Sequence, residues 1–331
     1  MRKDIDKETS DRIWIMKAMA VVAIVACHCT QVSENAGAIN KIATLFFEKW
    51  IYLGVPVFYF LSGYVSNFEV SGKIFLLRKL KTIIIPWLLT GTVVWLYVVL
   101  RKGGISLSEW FLFVIGRKSY LYFLTDLIIF QAFFYIIKRN RWVWIGFEIF
   151  LAAVILVTLF GFDGPTNMIS KTGVIVGNLF YFFFGIVVRE NVDVNCFKNP
   201  KLSLLLIAYV LIRLVAGKIT VDGALGRVIS ATITLCRYTS FIIGIYSLAG
   251  LLSGKAREMA TYVGKLSFSV YLLHMPVAGV TANLLNRSEA FAVVTFVRPI
   301  IVILITLLGI ELYRKITRNN QTALLLIGGR V

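Results

Sequence analysis

The chain is expected to fold as an all-α polytopic membrane protein, with about ten transmembrane helices around an intramembrane cavity. Three observations lead there. Apolar residues fill 58% of the 331 positions, mean hydropathy is +0.81, and apolar runs such as Ile13 to Thr30 and Leu202 to Gly217 recur with no polar domain between them. The expected organisation is a cytoplasmic segment over residues 1–12, a single transmembrane domain over 13–313 and a cytoplasmic tail over 314–331.

Taking about 20 apolar residues per crossing, the first-half spans fall near 13–32, 45–67, 83–100, 120–137 and 142–161. The second half gives 172–188, 202–217, 228–252, 261–281 and 291–313. With the N-terminus cytoplasmic, 20 of the 35 Lys and Arg residues fall on inner segments and nine on outer loops. That bias places both termini inside, in the cell membrane, although Arg101, Lys102, Arg117 and Lys118 share one outer loop. A formal charge of +18 would point a soluble protein toward nucleic acid; here it is mostly a topology signal, and no nucleic-acid partner is expected. Ser108 to Gly116 is too short to span and reads as an interfacial helix.

Cys27, Cys29, Cys196 and Cys236 have neither zinc-site spacing nor a disulfide framework, so they read as packing residues and no metal is expected. Ile24-Val25-Ala26-Cys27 imitates a lipoprotein cleavage site, but the remaining spans already anchor the chain.

The chemistry-bearing residues stand out by scarcity. Only two histidines occur, His28 and His274, each toward the far end of an apolar segment. Ionisable groups are expensive in a bilayer, and imidazole is the side chain best suited to moving protons near neutral pH. Lys17 and His28 are eleven residues apart, about 20° from three whole helical turns and roughly 16 Å of rise. They therefore share one face at different depths, a cation low and an imidazole high. Snorkelling of Lys17 to the inner headgroups is the plainer alternative. In the ninth span Gly264, Ser267, Tyr271 and His274 follow at helical spacing, and Pro276 predicts a kink just beyond. For His274, catalysis and a buried ring bonded to a neighbour such as Tyr271 both remain open. Gly54 and Pro56 suggest an interrupted second helix, with Ser62, Gly63 and Tyr64 lining a path or serving close packing. Asp126, Glu148, Arg213, Arg237 and Arg298 are candidate intramembrane charge partners.

Four segments resemble the bacterial integral-membrane acyltransferase-3 family. Lys17-Ala18-Met19-Ala20-Val21-Val22-Ala23-Ile24-Val25-Ala26-Cys27-His28 is similar to its first-helix motif, an arginine followed by a histidine with ten residues between. Gly54-Val55-Pro56-Val57-Phe58-Tyr59-Phe60-Leu61-Ser62-Gly63-Tyr64 resembles the second-helix block and is the most specific match. Tyr122-Phe123-Leu124-Thr125-Asp126-Leu127-Ile128 looks like the aromatic block before the central helices. Gly264-Lys265-Leu266-Ser267-Phe268-Ser269-Val270-Tyr271-Leu272-Leu273-His274 resembles the late block ending in histidine. One departure is Lys17 in place of arginine, which keeps the charge and loses the bidentate fork.

The resemblance implies a membrane O-acyltransferase that moves an acyl group, most commonly acetyl, from cytoplasmic acyl-CoA to a hydroxyl of a cell-surface glycan or lipid-linked sugar. It implies acetyl-CoA or another short acyl-CoA as co-substrate. In that scheme His28 acts as base or as acyl-accepting nucleophile, assisted by His274 and Tyr271. Lys17, Ser62, Tyr64, Arg78, Lys79 and Lys81 serve the donor, although positive-inside topology also explains the basic cluster without a ligand. A transporter or flippase using the histidines as a proton relay is the alternative from another class.

Overall fold

The computed structural model describes residues 5–29, 38, 41–42, 46, 53–103, 106–138, 142, 144–148, 166–216, 223–285, 294–318 and 320–328. Its described residues form helices and turns, with no strand among them. In order they are α1 (Lys7–His28), α2 (Gly54–Val65), α3 (Gly72–Lys79), α4 (Ile85–Lys102), α5 (Leu107–Val114), α6 (Tyr122–Ile137) and α7 (Thr166–Asn191). Then follow α8 (Leu205–Ala216), α9 (Gly223–Ala249), α10 (Gly254–Lys265), α11 (Ser267–Leu285), α12 (Val294–Ile316) and α13 (Gln321–Leu326). The expected fifth span, 142–161, lies largely outside the described residues.

By length and composition, two helical runs among the described residues are apolar enough to cross a membrane, Gly72–Leu100 and Phe296–Ile316. A third arises if α10 and α11, bent by 75°, form one crossing. The expected count of ten is thus not reached by this measure; α2, for example, has only 12 residues. The bend corrects the ninth span. Lys255, Arg257, Glu258 and Lys265 make α10 a charged helix, while α11 is apolar, so the chain turns at Leu266 instead of running straight. Gly264 consequently does not continue the face of Ser267, Tyr271 and His274. Pro276 sits inside α11 without ending it.

Helix α1 begins at Lys7, six residues before the expected span, because Asp6 caps it: the Thr9 backbone N–H donates to the Asp6 carboxylate at 2.6 Å. A π-turn over Leu80–Ile84 joins α3 to α4. Pro86 explains it, since its ring crowds the carbonyl four residues back and offers that carbonyl no N–H. Residues 107–114 do form the short separate helix expected between spans.

The chain divides into two compact units. The first comprises residues 1–16, 59–69 and 130–257. Its centre is aromatic: Phe134 stacks on Phe182 at 5.4 Å, with Phe130, Phe147, Phe183 and Trp144 around them. Here α2 and α7 cross with backbones touching. A Cβ at Gly63 would lie 2.0 Å from the Phe182 carbonyl oxygen, and one at Gly185 would lie 2.0 Å from that of Phe60. Close packing is therefore one job of Gly63.

The second unit comprises residues 17–58, 70–129 and 258–331. Gly54 starts α2 against α1, where a Cβ would fall 2.4 Å from the Ala20 carbonyl oxygen, so the glycine serves close approach; the residues just before Leu53, on which the expected interruption bears, lie outside the described residues. Trp87 on α4 donates to the Val114 carbonyl at 2.9 Å and Trp110 on α5 donates to Thr92 Oγ1 at 3.0 Å, fixing α5 on α4. Beyond α13, Gly328 closes on Phe268. Of the four cysteines, Cys29 is buried and Cys27 half-buried, but Cys196 and Cys236 are exposed and so are not packing residues.

Candidate active site

Both histidines lie in the second unit. His28 is the last residue of α1 and His274 lies in the second turn of α11; their ring centroids are 5.2 Å apart with planes tilted by 41°. The two imidazoles, 246 positions apart in sequence, are neighbours.

His274 is 0% exposed. Its Nδ1 lies 2.7 Å from the Tyr271 carbonyl and 3.2 Å from that of Val270, the i−3 and i−4 positions of its own helix. Carbonyl oxygens only accept, so Nδ1 must donate and carries the proton. The neutral ring then presents a bare lone pair at Nε2. That nitrogen is buried and has no hydrogen-bond partner among the described residues. A buried acceptor without a donor is uncommon and asks for an explanation. His28, by contrast, is half-buried.

The third member is Tyr120, which the sequence reading did not single out. Its ring meets that of His274 edge-on at 5.3 Å and that of His28 at 6.4 Å. A tight loop after α5 delivers it. Gly116 turns with φ of +79°, where a Cβ would collide with the Tyr122 backbone nitrogen at 2.0 Å. Ser119 Oγ donates to the Phe113 carbonyl at 2.6 Å and Thr125 Oγ1 to the Ile115 carbonyl at 2.9 Å, pinning both ends of the loop.

Tyr120 then locks onto α11. Its hydroxyl donates to the Leu272 carbonyl at 2.5 Å, and the Tyr271 hydroxyl donates back to the Tyr120 carbonyl at 2.5 Å. Leu272 is four residues before Pro276, whose missing N–H leaves that carbonyl without its helical donor. The Tyr120 hydroxyl replaces the bond that proline removed, which is how α11 passes through Pro276 intact. Because both tyrosine hydroxyls are engaged with backbone, Tyr271 is suited to orienting the site rather than to exchanging protons in it.

A buried guanidinium completes the arrangement. Arg298 on α12 is 2% exposed and donates to the Cys29 carbonyl at 3.2 Å and to the Ala278 carbonyl at 3.0 Å. Two backbone carbonyls are thus partners of this in-span charge.

The remaining sequence candidates are distributed as follows. Lys17 is half-buried in α1, the same helix as His28. Arg78 and Lys81 are exposed, on α3 and the π-turn, while Lys79 reaches over the Phe75 ring at 5.4 Å. Ser62 and Tyr64 belong to the first unit. The Ser62 carbonyl accepts from Ser66 Oγ at 2.6 Å, and the Arg189 guanidinium lies over the buried Tyr64 ring at 5.3 Å. A cavity of about 530 Å³ opens beside them in that unit, lined by Gly63, Ser66, Lys138, Arg189 and Glu190 among others. Among the described residues no cluster of three or more His, Cys, Asp or Glu has the arrangement of a metal site.

Two imidazoles side by side, one with a fixed tautomer and an open lone pair, form an arrangement able to accept and hold protons next to a reacting hydroxyl. No curated protein and no solved structure matches the chain. The acyltransferase domain family does match, over residues 11–312, a stretch that includes both histidines, Tyr120, Tyr271 and Arg298, and the chain therefore belongs to the acyltransferase-3 family.

Proposed function

We propose that this protein is a membrane O-acyltransferase of the cell membrane, with both termini cytoplasmic, that moves a short acyl group, acetyl in the first instance, from acyl-CoA to a sugar hydroxyl of a surface glycan or lipid-linked intermediate. Family membership supports acyl transfer; the observation that carries the site assignment is the half-buried His28 ring 5.2 Å from the enclosed His274.

In this reading His28 is the general base. It takes the proton of the acceptor hydroxyl as the oxygen attacks the thioester carbonyl; the acyl–sulfur bond breaks, the acyl–oxygen bond forms, and the imidazolium returns its proton to the departing coenzyme A thiolate. His274 cannot perform that exchange as readily, because it is sealed from solvent and its Nδ1 proton is held by two carbonyls. Its Nε2 lone pair instead receives an N–H from His28 or an O–H from the acceptor. Lys17, on the same helix and roughly 16 Å of rise away, lies along the donor path and offers positive charge to the thioester arm. Arg78, Lys79 and Lys81 serve the coenzyme phosphates.

The test uses the full chain reconstituted in lipid nanodiscs with acetyl-CoA. Wild-type protein releases free thiol in proportion to acceptor, and mass spectrometry finds the acylated sugar. His28→Ala inserts normally and loses turnover, and Lys17→Ala raises the donor KM while Lys17→Arg does not. Full turnover by a properly inserted His28→Ala protein removes the proposed base. Glycan movement across the bilayer without thiol release removes the enzyme reading in favour of transport.

A further inference from the structure

We infer that Arg298 is a positioning residue that holds His28 and His274 in register, an assignment that rests on the acyltransferase reading above. The argument is geometric. One guanidinium N–H group donates to the carbonyl of Cys29, the residue directly after His28, and another donates to the carbonyl of Ala278, one helical turn past His274. The planar fork of a single side chain on α12 thus ties together the two helices that carry the imidazoles.

The contact at Cys29 answers a local requirement. The Cys29 carbonyl lies just past the C-terminus of α1, where backbone acceptors have no further helical donors. A cation there also complements the negative end of the helix dipole. The Cys29 site is 1% exposed, so water does not serve it. The Ala278 carbonyl lies inside α11 and also within 3.1 Å of Thr281 Oγ1, so there the guanidinium adds a tie to an acceptor that the helix already serves. Arginine suits this role and lysine does not, because an ammonium is a point donor without a fixed fork.

Loss of the fork should let the two rings drift apart, and a misplacement near 1 Å costs about a hundredfold in rate. The variants are Arg298→Lys and Arg298→Met in nanodisc-reconstituted full chain, with Arg314→Lys as control; Arg314 is on the same helix and pairs with Glu311 at 2.8 Å. Two measurements are made: acetyl-CoA turnover, and the rate at which diethyl pyrocarbonate carbethoxylates His28, read by peptide mass spectrometry. Arg298→Lys is expected to lower kcat by at least about tenfold with donor KM within about twofold, since donor binding is left alone. It should also change the His28 modification rate several-fold, whereas Arg314→Lys moves neither. If Arg298→Met does not assemble, Arg298→Lys, which keeps the buried charge, decides alone.

A monodisperse Arg298→Lys protein with wild-type kcat and wild-type His28 reactivity overturns the inference. So does a protein that is merely less heat-stable, with unchanged kcat per folded molecule. Absence of acyl turnover in the wild type would instead overturn the functional reading; the His28 modification rate would still report on Arg298.

Discussion

Replacing Tyr120 by Phe deletes one oxygen atom and keeps the ring, so it isolates the hydroxyl's bond to the Leu272 carbonyl. Ordinarily a helical carbonyl that loses a side-chain donor still keeps its backbone N–H. Leu272 does not, because its helical donor is position 276, a proline. Leu272 is 0% exposed, so water does not substitute. Leaving a buried acceptor unserved costs about 1–3 kcal/mol. Side-chain hydrogen bonds measured within membrane proteins average about 0.6 kcal/mol and reach about 1.7. The Tyr120 bond belongs at the upper end of that second range, about 1.5 kcal/mol, since no alternative donor is available to it. The decisive measurement is a double-mutant cycle with Pro276→Ala. Alanine restores the backbone N–H to Leu272, so in that background Tyr120→Phe should cost less than about 0.5 kcal/mol, a coupling of about 1 kcal/mol. Reversible denaturation of the detergent-solubilised protein in SDS gives the four free energies. Additivity of the two substitutions within about 0.3 kcal/mol would refute the claim that the tyrosine hydroxyl stands in for the missing proline N–H.

Two further outcomes follow from the geometry. Gly63→Ala puts a methyl 2.0 Å from the Phe182 carbonyl oxygen, where only backbone can give way. The cost should exceed the usual overpacking range of about 1–3 kcal/mol, seen as loss of monodisperse protein on size exclusion. At the start of α1, the Thr9 backbone N–H, aided by the Thr9 and Lys198 side chains, holds the Asp6 carboxyl at about 2 instead of 3.8. Glu8 is lowered as well, chiefly by Arg12 and then by Lys198. Depressed carboxylates stabilise the fold above their unfolded pKa and lose that contribution as pH falls through the folded value. Thermal stability should therefore decline below about pH 4 and toward pH 2, and Asp6→Ala should cost about 1 kcal/mol at neutral pH through the lost cap while flattening that acid limb.

How much of this was legible in the sequence depends on whether the determinant was local. The helix bearing Lys17 and His28 was readable from one apolar run, and its earlier start follows from Asp6 and Thr9, a polar capping pair that hydropathy does not register. The turn at Leu266 was also written locally: Lys255, Arg257, Glu258 and Lys265 make one charged helix, and the apolar helix begins only after them. Tyr120 was different. Its partner is a carbonyl 152 residues away, and carbonyls have no signature in a sequence. Arg298 stood out as a charge within a span, but the two backbone oxygens it reaches leave no mark in a sequence either. Periodicity marked which face a residue occupies; which faces meet was settled by packing.

The two imidazoles are not interchangeable, and substitution can separate them. At position 274, Asn keeps a donor near the place of Nδ1 and leaves Nε2 empty, whereas Gln carries an amide oxygen out toward the place of Nε2. If the open lone pair is what matters, His274→Gln should retain more turnover than His274→Asn by about tenfold, with donor KM unchanged in both. At position 28 the requirement is a group that titrates, which neither amide does, so both substitutions should fall by the full general-base factor of about 10²–10⁴. An Asn variant at 274 that equals or exceeds the Gln variant would mean that the bond from Nδ1 to the Tyr271 and Val270 carbonyls is the whole function of that ring. His274 would then be a helix brace, and the catalytic proton would have to be managed by His28 alone.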